Sequence, residues 1–284
     1  MFFAGAVPAL VYGLLALAIP ESPRHLVGRG QLVKAAAVLR LMEGVAEVGT
    51  KIDEIALTLK RETAPSLRDL RGPRSGLLGG VWVGIGLSVL QQFVGVNVIF
   101  YYSSTQWRSV GFSEAVALTT SVITSVTNVV VTLIAISLVD RVGRKPLLLT
   151  GSVGMALSLG VMALCFGQGL GGGAQPVLQA PANTIALVAA NAYVVFFGVS
   201  WGPVVWVLPG GMFSNRIRAV ALSVAAALQW IANFLVSISF PVFTQRLSLA
   251  FAYGLYGAFA ALSFFFVFRF VKATRGKELE AMVD

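Results

Sequence analysis

Charge is scarce in this sequence. Of 284 residues, 12% are charged and 57% apolar, whereas soluble domains carry about 25% charged residues. A water-soluble enzyme of ordinary composition is therefore excluded. Cysteine and histidine are nearly absent as well. The single Cys165 lies within an apolar run and reads as a small packing residue, so disulfides and cysteine-ligated metals are ruled out. The lone His25 sits in a basic segment and reads as a solvated side chain. No cofactor or metal is expected.

The few charges are also unevenly placed. No Asp, Glu, Lys or Arg occurs in 1–20, 75–107, 115–139, 146–215, 219–245 or 247–268. A helix that crosses a bilayer needs about 20 apolar residues. Five of these windows hold one span each. The longest is interrupted by Gly167, Gly169, Gly171, Gly172, Gly173, Pro176 and Pro181 and holds two. The expected fold is an all-α, polytopic membrane helix bundle with seven transmembrane helices.

The net charge of +9 could suggest a nucleic-acid partner, but the positions of the basic residues point elsewhere. Nineteen of the 21 fall in 21–75, 140–145, 216–218 and 269–277, and only Arg108 and Arg246 fall in the alternate connections. Lys and Arg concentrate in cytoplasmic loops. The N-terminus is thus expected outside, with 21–75 and the C-terminal tail in the cytoplasm. The excess also suits anionic lipid headgroups, and nucleic acid is not expected as a partner.

Within 21–75, Ser22-Pro23 reads as a helix start, with Ser as N-cap and Pro at the first position. Gln31 to Met42 has helical composition. Thr50 with Asp53 resembles a capping box, and Ile52, Ile55, Ala56 and Leu59 follow at helical spacing. Two or three short amphipathic helices are predicted. A solvated linker and a gating role fit them equally.

Polar residues inside spans are costly and should face a cavity or another helix. Gln91, Gln92 and Asn97, followed by Phe100, Tyr101 and Tyr102, mark a broad polar sector on one helix. Amides both donate and accept, which suits a ligand made of hydroxyl groups; interhelical bonding serves equally. Asn128 stands mid-span with the same two readings. Gly198, Gly202, Pro203 and Pro209 suggest a broken helix lining a cavity that holds Trp206, whose indole can stack on a sugar ring. Gln229 and Asn233 share one face of a later span. No carboxylate, Lys, Arg or His lies at the centre of any span, so a proton relay, voltage sensor or hydrolytic dyad within this chain is not expected.

Five motifs in order carry a family resemblance. They are Pro20-Glu21-Ser22-Pro23-Arg24; Gln91-Gln92 with Gly95, Asn97 and Tyr101-Tyr102; Asp140-Arg141-Val142-Gly143-Arg144-Lys145; Trp201-Gly202-Pro203 with Trp206; and Asn215-Arg216-Ile217-Arg218. The chain resembles the sugar porter family of the major facilitator superfamily, whose members have twelve helices in two halves. The resemblance implies that 1–20 is the family's sixth helix and 21–75 a cytoplasmic helical linker. It makes 76–271 the six-helix C-terminal half and 272–284 a cytoplasmic tail. The family's helices one to five have no counterpart in these residues.

The resemblance further implies that Gln91, Gln92, Asn97, Asn128, Trp206 and Gln229 bind a monosaccharide. Phe100, Tyr101 and Tyr102 would form an extracellular gate. Glu21, Arg24, Asp140, Arg141, Arg144, Arg216 and Arg218 would form a cytoplasmic one. The implied function is transport of a hexose or pentose across the plasma (inner) membrane by alternating access, proton-coupled in the complete protein. A non-transporting sugar sensor or partner subunit, and an inactive remnant, stay open beside it. Two departures remove carboxylates from the cytoplasmic gate: Gly211 stands where the family has Glu, and Lys272-Ala273 where it has Pro-Glu. Alone, the polar faces carrying Gln91, Asn97, Asn128 and Gln229 are expected to be left towards lipid.

Overall fold

The computed structural model describes residues 6–43, 47–61, 66–72, 76–109, 111–168, 178–213 and 217–271, with the backbone alone described at Glu43, Lys60, Arg61, Ser109, Asp140 and 209–211. The chain divides into two compact units, Met1–Pro65 and Ser66–Asp284.

The first unit holds α1 (Ala6–Ala18), α2 (Pro23–Gly28), α3 (Leu32–Glu43) and α4 (Val48–Arg61). The Ser22 hydroxyl accepts from the His25 N–H at 3.2 Å with Pro23 opening the helix, as the sequence predicts. Helix α4 instead starts at Val48, so Thr50 lies in its first turn and is not its cap. The predicted stripe Ile52, Ile55, Ala56 and Leu59 packs on Leu26, Val27 and Ala35. These three short helices thereby share a small apolar core.

Helix α1 has 13 residues and no buried side chain. At about 1.5 Å per residue that part of it falls short of a bilayer core. Residues 1–5, the rest of the expected span, lie outside the described residues. Among the described residues six segments have the length and composition to cross a membrane: Gly79–Tyr101, Glu114–Val139, Arg144–Gly167, Ala182–Leu208, Arg218–Arg246 and Leu249–Phe270.

In the second unit the first of these spans is two helices, α5 (Gly79–Phe93) and α6 (Val96–Tyr101), followed by the short α7 (Ser103–Ser109). After it come α8 (Glu114–Val142), α9 (Arg144–Gly167), α10 (Ala182–Val199), α11 (Trp201–Met212), α12 (Arg218–Arg246) and α13 (Leu249–Phe270). Helix α9 lies between α13 and α10, while α12 packs on α5 and α8 on α10. A chain of buried groups ties these layers together. The Ser152 and Ser263 hydroxyls are 2.9 Å apart, and the Trp201 indole N–H donates to Ser152 Oγ at 3.0 Å and to the Leu148 carbonyl at 3.2 Å. Helices α9 and α10 meet so closely at Gly151 that a Cβ there would overlap the Ser200 hydroxyl.

Two interruptions shape the bundle. Gly95 adopts a left-handed backbone, φ +82°, and separates α5 from α6. The break frees the Val94 carbonyl from helical pairing, and the Tyr193 hydroxyl of α10 donates to it at 2.9 Å. A backbone group at this depth needs such a partner. The second break falls at Ser200, between α10 and α11, within the run of Gly and Pro that predicts it.

Candidate functional site

The break at Gly95 builds the site. In an unbroken helix five residues turn a side chain by about 140°, which sets Gln92 and Asn97 on widely separated faces. The structure instead brings them together, with Asn97 Nδ2 donating to Gln92 Oε1 at 2.6 Å. The same Nδ2 donates to Asn233 Oδ1 of α12 at 2.8 Å, and the Ser237 hydroxyl donates to that oxygen at 3.2 Å. Beside this cluster, Gln229 Nε2 donates to Gln91 Oε1 at 2.7 Å, and Gln91 Nε2 donates to the Trp201 carbonyl at 2.8 Å. Five amides thus join α5, α6, α11 and α12.

Gln91, Gln92, Gln229 and Asn233 are all buried, and Asn97 is half-buried. This corrects the expectation that these faces would be left towards lipid. The amides turn to one another, which satisfies part of their bonding within the unit. Spare capacity remains. Among the described residues, the amide N–H groups of Gln92 and Asn233 and the side-chain carbonyls of Asn97 and Gln229 have no partner. Nor are they sealed, since none of them is among the fully enclosed, unpartnered polar side-chain atoms of the described residues. Such a surface offers both donors and acceptors without a formal charge.

None of the other predicted binding and outer-gate residues bonds to these amide side chains among the described residues. Asn128 is half-buried on α8, its Oδ1 3.5 Å from where a Cβ would stand on Gly198 of α10. Trp206 is 53% exposed on α11, whereas the enclosed indole is that of Trp201. Tyr102 donates to the Ser237 carbonyl at 3.1 Å and packs its ring 5.0 Å from Phe240. Phe100 is half-buried against the core, and Tyr101 is 61% exposed. Asn233 is the member that sequence reasoning placed on the Gln229 face without giving it a role. Its spacing of four from Gln229 was the available signal.

Of the charged positions, Glu21 and Arg24 are exposed in the first unit. In the second, Arg141 is exposed, Arg144 is half-buried, and Arg218 reaches the Phe213 carbonyl at 3.4 Å. Lys145 donates to the Phe268 carbonyl at 3.0 Å and lies 5.8 Å from that residue's ring centroid, so it caps the last turn of α13. Arg216, the side chain of Asp140, residue 211 beyond its backbone, and Lys272-Ala273 lie outside the described residues.

The open groove between α9 and α10, about 350 Å³, has a different chemistry. Leu157, Val161, Ile185, Val188, Ala189 and Ala192 line it, with Ser158 and Thr184 supplying only hydroxyls. It suits hydrocarbon and not a polyhydroxylated ligand.

Residues 1–283 match the family model described as Sugar (and other) transporter. A glucose transport protein of Synechocystis is 55% identical over 282 residues, which cover 99% of this chain and 60% of that protein. A D-xylose-proton symporter of Escherichia coli is 36% identical over 288 residues, covering 99% of this chain and 56% of that one. The solved structure of the major facilitator superfamily proton:xylose symporter XylE bound to 6-bromo-6-deoxy-D-glucose superposes with a TM-score of 0.78 at 35% identity. It covers 99% of this chain and 58% of that structure. The chain therefore spans less than two thirds of the length of the relatives it matches.

Proposed function

This chain belongs to the sugar transporter family of the major facilitator superfamily, a multi-pass membrane protein, and from that premise we propose that it forms one side of a monosaccharide transport path. The observation that carries the reading is the amide network of Gln91, Gln92, Asn97, Gln229 and Asn233, with donors and acceptors to spare at membrane depth. Neutral amides match sugar hydroxyls, whereas a carboxylate or phosphate substrate would call for Arg or Lys. The glucose and xylose transport named for the relatives favours a hexose or pentose. Asn128 and Trp206 would complete the contacts from α8 and α11.

In this reading Phe100, Tyr101 and Tyr102 gate the outer side. Glu21, Arg24, Asp140, Arg141, Arg144, Arg216 and Arg218 serve the cytoplasmic side. The bias of basic residues puts 21–75 and the C-terminus in the cytoplasm of the inner membrane. Rocking of this half against another body around a midplane site would give alternating access. Proton coupling, named for the xylose relative, would belong to the complete protein, because no carboxylate, Lys, Arg or His lies at the centre of these spans.

The test is equilibrium binding of labelled D-glucose and D-xylose to the purified chain. Gln92→Ala and Asn97→Ala should each weaken binding by about 1–3 kcal/mol, the cost of an unmade bond to a desolvated polar group. Unchanged affinity in both variants refutes the assignment.

A further inference from the structure

Helix α3 carries more apolar surface than its unit uses. Its inner face, Ala35 and Leu39, is buried at 0% and 2%, and Ala35 packs in the core of the three short helices. Its outer face is apolar too. Val33, Ala37 and Leu41 follow at a spacing of four, with Val33 86% and Leu41 76% exposed. At about 100° per residue, Arg40 flanks one edge of that stripe and Lys34 the other. A helix apolar on both faces is not at rest in water.

Charge complementarity identifies what covers the outer face. Residues 22–42 contain Arg24, Arg29, Lys34 and Arg40 and no acidic residue. The acids of this region flank that stretch, Glu21 just before α2 and Glu43 at the last position of α3, or follow it, with Glu47, Asp53 and Glu54 on or beside α4. Over 21–43 four cations outweigh Glu21 and Glu43, whereas over 47–61 Lys51, Lys60 and Arg61 are matched by Glu47, Asp53 and Glu54, and the apolar stripe of α4 is already occupied. The position in the chain narrows the choice further. Four residues separate the end of α1 from Pro23, a reach of no more than about 18 Å. Helix α1 is apolar with every described side chain exposed, so it requires lipid. The α3 stripe is therefore tethered at a membrane surface.

We propose that the outer face of α3 docks on an anionic lipid surface, with Val33, Ala37 and Leu41 entering the headgroup boundary and Lys34 and Arg40 snorkelling to the phosphates. Helix α4 then faces water. The docking fixes the orientation of the unit and does not depend on which sugar, if any, the second unit binds.

The test uses the full chain with Cys165→Ala and a single fluorescent label on a cysteine introduced by Val33→Cys, Leu41→Cys or Leu57→Cys. Leu57 of α4 is 57% exposed and serves as the water-facing reference. In vesicles containing phosphatidylglycerol, nitroxide lipids should quench the labels at 33 and 41, and aqueous iodide should not reach them. The label at 57 should show the reverse. Lys34→Gln with Arg40→Gln should lower the docked-to-free ratio by about 30-fold, at roughly fivefold per cation near an anionic leaflet. Iodide reaching 33 as readily as 57 overturns the proposal. So does shielding of 33 from both quenchers, which would mean a protein cover, or lipid quenching that is equal in pure phosphatidylcholine. On the unaltered chain, trypsin cleavage after Lys34 and Arg40 should slow when anionic vesicles replace zwitterionic ones. Equal cleavage in both overturns the proposal independently of the labelled variants.

Discussion

Gln91 does two jobs at once, and they can be separated by substitution. Its carbonyl takes the Gln229 N–H, and its own N–H groups hold the Trp201 and Gly202 carbonyls at the start of α11. Hydrogen bonds between membrane helices contribute about 0.6 kcal/mol on average and rarely more than about 1.7. Gln91→Leu should therefore lower stability in detergent by roughly 1–2 kcal/mol, because it also strands Gln229. Gln229→Leu should cost less, since Gln91 keeps its carbonyl partners. The double variant should cost less than the sum, because the two share one bond. A thermal-unfolding double-mutant cycle with strictly additive costs would show that the pair does not couple α5 to α12.

At the level of helices, the break between α5 and α6 sets the geometry of the site. Gly95 holds φ +82°, and a Cβ there would come 2.8 Å from the Tyr256 ring. A left-handed backbone costs a non-glycine residue about 1–2 kcal/mol, and crowding a packed ring adds about 1–3 more. Gly95→Ala should lower the unfolding temperature and also weaken sugar binding, because Asn97 no longer reaches Gln92. A variant that loses stability while keeping wild-type affinity would uncouple the break from the site. Gly151→Val should act differently, prying α9 from α10 at Ser200, with lost stability and little change in affinity for the folded fraction.

These elements also show what the sequence could reveal. The spans were legible because a charge-free run of sufficient length has few other uses, and the break at Ser200 because Gly198, Gly202 and Pro203 announce it. Which residues would cluster was half legible: Gln91, Gln92, Asn97 and Gln229 are conspicuous as polar residues in lipid. Their pairing was not. Gln229 meets Gln91 across 138 positions, and Asn97 meets Gln92 only because one glycine turns left-handed. Helical spacing alone sets those two apart. The start at Val48 is not legible because Thr50-Asp53 imitates a helix start one turn later.

For the whole molecule, the remaining question is what the 284 residues do by themselves. The amide network is partly satisfied inside the second unit, so that unit can hold its shape without a second body closing over the site. Holding shape is not transport. Alternating access requires two bodies that rock around a shared midplane site, and these spans supply one network on one side. Among the described spans, helix α8 is the least enclosed. Its membrane segment is buried along a narrow stripe, Ala117, Thr124, Val131, Ala135 and Val139, while Val122, Val126, Val129, Leu133 and Ile136 stay exposed. The centres of these spans also hold no carboxylate, Lys, Arg or His, the side chains that relay protons at membrane depth. In sealed liposomes with an imposed proton gradient, the purified 284-residue chain should take up labelled glucose or xylose no faster than empty vesicles leak. Its equilibrium binding should persist and remain sensitive to Gln92→Ala. Saturable accumulation abolished by Gln92→Ala would overturn this, and would mean that two copies pair across their amide faces.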